Sequence, residues 1–134
     1  MFELALRENE GPVFLKDIAR HQNISLKYLS KLVIPLRGAK LVRSVRGMRG
    51  GYMLARDPSA ITTKEIVETL EGEIASGGCG KDGRECTSIS DCPTRMFWCR
   101  LDDGISKILT ENTLKTLVDE YVESRKNEAI TFDI

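Results

Sequence analysis

The sequence predicts a mainly α-helical fold with a small β-hairpin wing: a winged helix-turn-helix followed by a long helix with an exposed apolar seam. Three observations predict it. A short helix, a tight turn and a capped amphipathic helix follow one another between Leu15 and Leu36. Two strand-like runs then flank a glycine-rich tip between Leu41 and Leu54. Finally, Phe97, Leu101, Ile105, Ile108 and Leu109 recur at helical spacing. At 134 residues and 41% hydrophobic content the chain can build one core with an appendage, but is short for two full domains. The expected division is a helical head over 1–72, a cysteine-rich loop over 73–92, and a long helix with a C-terminal segment over 93–134.

The elements follow in order. Phe2, Ala5 and Leu6 sit at helical spacing with no cap before them, as at the end of a helix already begun, and Gly11-Pro12 breaks it. Leu15 to His21 forms a short helix with Ile18 and Ala19 inward, and Gln22-Asn23 makes the turn. Ser25 caps the next helix, with Ile24 and Leu29 placed as a hydrophobic staple. On that helix Leu29, Leu32, Val33 and Leu36 share one face; Lys27, Ser30 and Lys31 share the other, with Ile34 among them. Pro35 cannot donate to the carbonyl of Lys31, so a kink or an end is expected there. The hairpin tip carries Arg46 and Arg49 between glycines, which suit tight turns and close backbone approach. Thr62 with Glu65 forms a capping box, Ile66, Val67 and Leu70 pack, and Gly72 stops the helix. Pro93 is placed as the first residue of the long helix, and its seam needs a cover, either its own domain or the same helix of a second copy. Thr113 caps a last short helix to Val122, and Ala129 to Ile134 is read as a terminal strand.

Charge gives the first functional pointer. The formal net charge is zero, which excludes a uniformly basic nucleic-acid binder and an acidic tail. Yet residues 1–56 hold 11 Lys/Arg against 4 Asp/Glu, and residues 57–134 hold 9 against 16. Between Pro12 and Arg56 the only acidic residue is Asp17. Such asymmetry points to a polyanion partner for the first half. Lys27, Ser30 and Lys31 on a groove-sized helix, with Arg46 and Arg49 on a tip suited to phosphates or a narrow minor groove, fit double-stranded DNA.

The cysteines give the second. No run approaches the roughly 18 apolar residues of a membrane span, and the N-terminus has no secretory pattern. A cytoplasmic, reducing setting is therefore expected, in which clustered cysteines read as metal-binding or redox-active. Cys79, Cys86 and Cys92 lie in a glycine-rich loop with gaps of six and five residues. No CxxC pair is present, and the loop suits an iron–sulfur cluster, zinc, a thiol redox switch or inert thiols. Cys99 falls on the polar face of the long helix with Arg95, Asp103 and Ser106. Seven residues beyond Cys92, it lies ~10 Å further along a helix, a possible fourth ligand or a spare thiol. With one histidine and no nucleophile–base arrangement, an enzyme is not expected.

These features resemble the IscR-like winged-helix transcription regulators, a family that includes IscR, NsrR, RirA and CymR, and most closely its IscR-type iron–sulfur members. The resemblance covers nearly the whole chain. It rests on Asp17-Ile18-Ala19, Ile24-Ser25-Leu26-Lys27-Tyr28-Leu29, Leu36-Arg37, Gly38-Ala39-Lys40-Leu41-Val42, Ser44-Val45-Arg46-Gly47, Gly50-Gly51-Tyr52-Met53-Leu54, and the three-cysteine loop with its following helix. It implies a homodimer through the helix from Pro93 to Leu109, and further residues ahead of Met1 completing the first helix. It also implies a [2Fe-2S] cluster, with [4Fe-4S] or zinc as alternatives, on Cys79, Cys86 and Cys92. Ser25, Lys27, Tyr28, Ser30 and Lys31 would face the DNA operator, with Arg46 and Arg49 on the wing. Two positions depart from IscR: Arg95 stands where IscR has its histidine ligand, and Ser30 where it has an acidic residue. The function implied is a cluster-sensing repressor. The alternatives are a zinc- or thiol-controlled repressor of the same fold and, in another class, a metal or cluster carrier.

Overall fold

The computed structural model describes residues 1–74 and 92–132. In chain order these form α1 (Phe2–Leu6), a 3₁₀ turn (Glu8–Glu10), α2 (Leu15–His21), α3 (Leu26–Gly38), β1 (Val42–Val45) and β2 (Gly51–Leu54). A second 3₁₀ turn (Pro58–Ala60), α4 (Thr63–Glu71), α5 (Arg95–Glu111) and α6 (Leu114–Phe132) follow. Helices α2 and α3 with the β1–β2 hairpin make the winged helix-turn-helix.

Local signals account for most boundaries. The N–H of Tyr28 donates to Ser25 Oγ at 3.3 Å, capping α3. Thr62 and Glu65 make the reciprocal capping box of α4, and Gly72 ends that helix at φ 85°. Asn23 supplies the left-handed residue (φ 51°) of the turn between α2 and α3. The hairpin is antiparallel, pairing Val42 with Leu54, Arg43 with Met53, Ser44 with Tyr52 and Val45 with Gly51.

The core gathers one or two buried apolar side chains from each of α1, α2, α3, β1, β2 and α6, with Val13, Leu41 and Ile61 from the segments between elements. Ile18 and Ala19 of α2 and Val33 and Leu36 of α3 face Leu41, Val42 and Leu54 of the hairpin. Each fully buried aliphatic side chain contributes ~1.5–3 kcal/mol. The most deeply sealed positions are Leu41 (1% exposed), Ile61 (0%) and Leu114 (1%). Leu114 is the first residue of α6, so the end of the chain enters the same core as the head. Its N–H donates to the carbonyl of Ile61 at 3.0 Å, and the N–H of Thr63 donates to Asn112 at 2.8 Å. Helix α6 also runs past α1, where Phe2 meets Tyr121 edge to face with centroids 5.4 Å apart.

Four expectations need correction. Helix α1 buries Glu3, Leu4 and Ala5 and ends at Leu6, which is exposed; a 3₁₀ turn, rather than more helix, leads to Gly11. Helix α3 continues past Pro35 to Gly38. Pro35 and Lys31 both lie on its exposed face, where water can serve the carbonyl that proline cannot. Helix α5 begins at Arg95 after a turn through Pro93 and Thr94, not at Pro93. Helix α6 runs through Val122 to Phe132, so residues 129–132 are helical rather than a strand. No glycine or proline interrupts Leu114 to Phe132, and Glu, Arg, Lys and Ala favour continuation.

One polar group is buried in this core and organises its edge. Glu3, 8% exposed, accepts from the side-chain amide of Gln22 at 3.0 Å and pairs with His21 Nδ1 at 3.0 Å, tying α1 to the end of α2. Arg7 lies 3.7 Å away. Burial pushes the Glu3 carboxyl upward, but the His21 and Gln22 hydrogen bonds and the Arg7 charge outweigh it and hold the carboxyl below its usual range. A depressed folded-state value means that its stabilisation is present above the ordinary carboxylate range and is lost as pH falls through the lowered value. Glu3→Gln is therefore expected to cost ~1–2 kcal/mol at neutral pH, with urea-unfolding midpoints of variant and parent converging as pH falls through the lowered carboxyl value.

Candidate nucleic-acid interface and thiol segment

Helix α3 presents its outward face because its inward face is anchored through Val33 and Leu36. Lys27, Tyr28, Ser30, Lys31 and Ile34 are all exposed there. Ser25 Oγ accepts the Tyr28 N–H, which leaves its own hydroxyl hydrogen free to donate to a phosphate. Ser30 donates its hydroxyl to the carbonyl of Leu26 at 2.8 Å, leaving its oxygen as an acceptor. Acceptor at Ser30, donors at Ser25 and the lysines: the face can meet base edges and backbone alike.

The wing is built from its root outward. Val13, between α1 and α2, exchanges hydrogen bonds with Tyr52 at 2.9 and 2.8 Å, adding a bridge to the hairpin. Gly51 sits at φ 145°, and a Cβ there would stand 2.6 Å from the carbonyl oxygen of Val13. The close approach expected of the wing glycines is thus made, at this position, to the chain itself. Beyond the root, the N–H of Gly50 donates to Gly47 at 2.9 Å and closes the tip. Arg46 and Arg49 are exposed on that tip.

Pairing distinguishes the cations. Arg7 goes to Glu3 and Glu10, His21 to Glu3, and Arg56 to Glu65 at 2.7 Å. Lys27, Lys31, Arg46 and Arg49 have no carboxylate partner among the described residues.

Of the cysteines, Cys79 and Cys86 lie outside the described residues. Cys92 is half-buried, three residues before α5. Its Sγ lies 3.4 Å from Thr94 Oγ1. The Thr94 hydroxyl first, then the backbone N–H of Thr94 and of Arg95 and the Arg95 charge, hold this thiol below its usual range. Thiolate is the form that binds metal, a cluster or an oxidant, so the donor chemistry at Cys92 fits a thiolate-held centre. Arg95, which replaces the expected histidine, supplies charge here rather than a ligand. Cys99 is exposed on α5. No group of three or more His, Cys, Asp or Glu gathers among the described residues.

Helix α5 carries the seam in the open. Phe97, Leu101 and Ile108 are exposed, Ile108 by 62%, and none of the helix's residues is fully buried. Its C-terminal end is pinned to the head: Thr63 Oγ1 donates to the carbonyl of Leu109 at 2.8 Å. Thr63 and Leu114 escaped the sequence reading as joints, since capping patterns name a helix start but not what that start will touch.

A family profile described as "Rrf2: Iron-dependent Transcriptional regulator" matches residues 1–120. The chain is similar to the HTH-type transcriptional regulator CymR of Bacillus subtilis (strain 168), at 41% identity over 134 residues, covering 100% of this chain and 91% of that protein. The solved structure of CymR, described as the global cysteine regulator of B. subtilis, matches with a TM-score of 0.74 and 39% identity, covering 89% of this chain and 87% of that one. The HTH-type transcriptional regulator IscR of Yersinia pseudotuberculosis serotype O:1b (strain IP 31758) is 40% identical over 120 residues, 89% of this chain and 72% of that protein. The structure of T. potens IscR matches with a TM-score of 0.75 and 36% identity, covering 92% and 80% respectively.

The thiol geometry is testable on metal-free, reduced protein. The pH profile of Cys92 alkylation is expected to have its midpoint below the ordinary cysteine value of about 8.5, and Thr94→Val is expected to move it upward. Mass spectrometry of the labelled peptides reads both.

Proposed function

The chain belongs to the Rrf2 family of transcriptional regulators, and we propose that it is a homodimeric repressor whose operator binding is set by a thiolate-held [2Fe-2S] cluster. Cys79, Cys86 and Cys92 would hold that group, with Cys99 available as a fourth ligand. Bound there, it would supply a compact, redox-active and labile centre whose occupancy varies with cluster supply. The observation that carries this reading is the place of Cys92, half-buried three residues before a helix whose far end is hydrogen-bonded to the DNA-reading head.

The chain's own residues do the rest. The carbonyl of Cys92 accepts the Arg95 N–H at 3.3 Å, at the start of α5. The helix from Pro93 to Leu109, with Phe97, Leu101 and Ile108 exposed, would pack on its counterpart in a second copy, setting the spacing of two heads. The bonds from Thr63 to Leu109 and Asn112 would carry a change in α5 into α4 and the head. Ser25, Lys27, Tyr28, Ser30 and Lys31 would enter the major groove, and Arg46 and Arg49 the adjacent minor groove. By this division 1–72 reads DNA, 73–92 holds the cluster and 93–134 dimerises.

A second reading keeps the fold and replaces the cluster by zinc or by thiol oxidation. It is favoured by the 41% identity to CymR along the whole chain and by Arg95 in place of a histidine ligand. Neither reading needs an enzyme, in keeping with relatives named as regulators.

Purification without oxygen separates the two. The cluster reading expects a coloured protein with about two irons and two sulfides per chain, lost in Cys92→Ala. A colourless zinc protein, or a metal-free one whose DNA binding responds only to oxidation, would establish the second reading instead. On either reading, Arg46→Ala is expected to weaken binding to a duplex selected from a random pool by ~1–3 kcal/mol and to relax its A·T preference. Unchanged affinity and preference would remove the wing from the interface.

A further inference from the structure

Besides the reading face and the wing, the head has a third cationic feature. A groove of about 840 Å³ lies between the end of α3 and the hairpin; Ile34, Arg37 and Gly38 line it from α3, Lys40 from the turn after it, and Arg43 and Ser44 from the hairpin, over a floor that includes Val42 and Ala55. Resting on the DNA-binding reading above, we propose that this groove seats the sugar–phosphate strand separating the major groove read by α3 from the minor groove entered by the wing. Arg37, Lys40 and Arg43 are its phosphate-binding cations.

Position is the first argument. On a wheel of roughly 100° per residue, Lys27, Lys31, Ile34 and Gly38 fall along one narrow stripe of α3. The helix wall of the groove is therefore the continuation of the DNA-facing stripe. Gly38 lies ~10 Å beyond Lys31 along the axis, close to the ~12 Å width of the major groove. With Lys27 and Lys31 over base edges, the helix end stands at the groove wall, where the backbone runs. On the other side, Ser44 lies two residues, or ~7 Å of strand, before Arg46 at the wing tip. A strand of DNA passing between these two contacts must cross the groove.

Charge is the second. Arg37, Lys40 and Arg43 are exposed and have no carboxylate partner among the described residues. Arg56 also lines the groove, but it is already held by Glu65. A helix C-terminus would repel a phosphate through its carbonyl oxygens. Here the carbonyls of Pro35, Leu36 and Arg37 are taken by the N–H groups of Ala39, Leu41 and Lys40, at 2.9, 3.0 and 3.0 Å. Three unpaired cations then set the sign of the site.

Backbone conformation is the third. Lys40 sits at φ 56°, the left-handed position just beyond the helix cap that glycine fills at least cost. A lysine kept there accepts strain and places a cation at the lip of the groove. Functional constraints are where such strain is retained.

That conformation also supplies a clean variant. Lys40→Gly removes the charge while easing the backbone, so its urea-unfolding midpoint should match or exceed that of the parent. Lys40→Gly combined with Arg43→Ser is then compared with the parent in DNA titrations across a range of salt, on the preferred duplex and on a scrambled one. The slope of log K against log salt is expected to shrink by about 0.9 per lost phosphate contact. The affinity ratio between the two duplexes should stay unchanged, because phosphates carry no sequence. Lys107→Ala, on α5 beside Glu111, should leave the slope alone. An unchanged slope in the double variant overturns the strand seat by itself, as does inorganic phosphate that saturates the groove while the slope stays fixed. A parent chain that retards neither duplex overturns the seat together with the DNA-binding reading beneath it.

Discussion

The structure depends on one join: Ile61 and Leu114, both sealed from solvent and linked through main-chain hydrogen bonds. Burying two aliphatic side chains supplies the favourable free energy. The bonds between residues 61–63 and 112–114 satisfy backbone groups that would otherwise be orphaned at the ends of α4, α5 and α6. Without the join, α5 would be a helix on a tether. With it, α5 is a rod whose C-terminal end is part of the head, with Phe97, Leu101 and Ile108 of its seam exposed.

The zero net charge resolves along the same line. In the acidic half, carboxylates find local cations, Glu111 with Lys107 and Asp119 with Lys115, each one turn apart on its helix. In the basic half there are too few carboxylates to go round. Of the four, Glu3 and Glu10 are held by Arg7 and His21, around α1 and the end of α2. The cations of α3 and the wing are left unneutralised on the opposite task. A balanced sum thus conceals an uneven distribution along the chain, 11 Lys/Arg against 4 Asp/Glu over residues 1–56 and 9 against 16 over residues 57–134.

Much of this was legible in the sequence, and the reason is range. Ser25, the Thr62–Glu65 box, the inward pair Ile18 and Ala19, and the strands around the wing are set by neighbours within a turn or a hairpin. The illegible parts are long-range or permissive. The Glu3–His21 pair spans 18 residues, and the Val13–Tyr52 bridge joins a loop to a strand, so neither leaves a periodic trace. Leu114 reads as one more leucine until the fold places it beside Ile61. Pro35 leads the sequence to expect a kink or an end near it; α3 runs three residues further, to Gly38, because on its solvent-facing side the lost hydrogen bond can be met by water. For α6, absence of a stop signal was the better guide than the β-prone look of its last residues. As for the site, the α3 and wing residues are each exposed, and the Cys92 Sγ lies 3.4 Å from the Thr94 hydroxyl. Cys79 and Cys86 lie outside the described residues.

The bond between Val13 and Tyr52 separates the wing into two parts with different freedoms. Its root is locked to the start of α2, and Gly51 admits no side chain because a carbonyl already occupies that space. Its tip, from Arg46 to Arg49, is held locally, through the Gly47 carbonyl that accepts the Gly50 N–H, and the side chains of Arg46, Met48 and Arg49 are exposed. Sequence change can accumulate at the tip without loss of the scaffold, while the root must stay as it is. A protein so built can be redirected to a new operator by exchanging a handful of residues, so its capacity to acquire new targets is itself a property of where one loop happens to meet one strand.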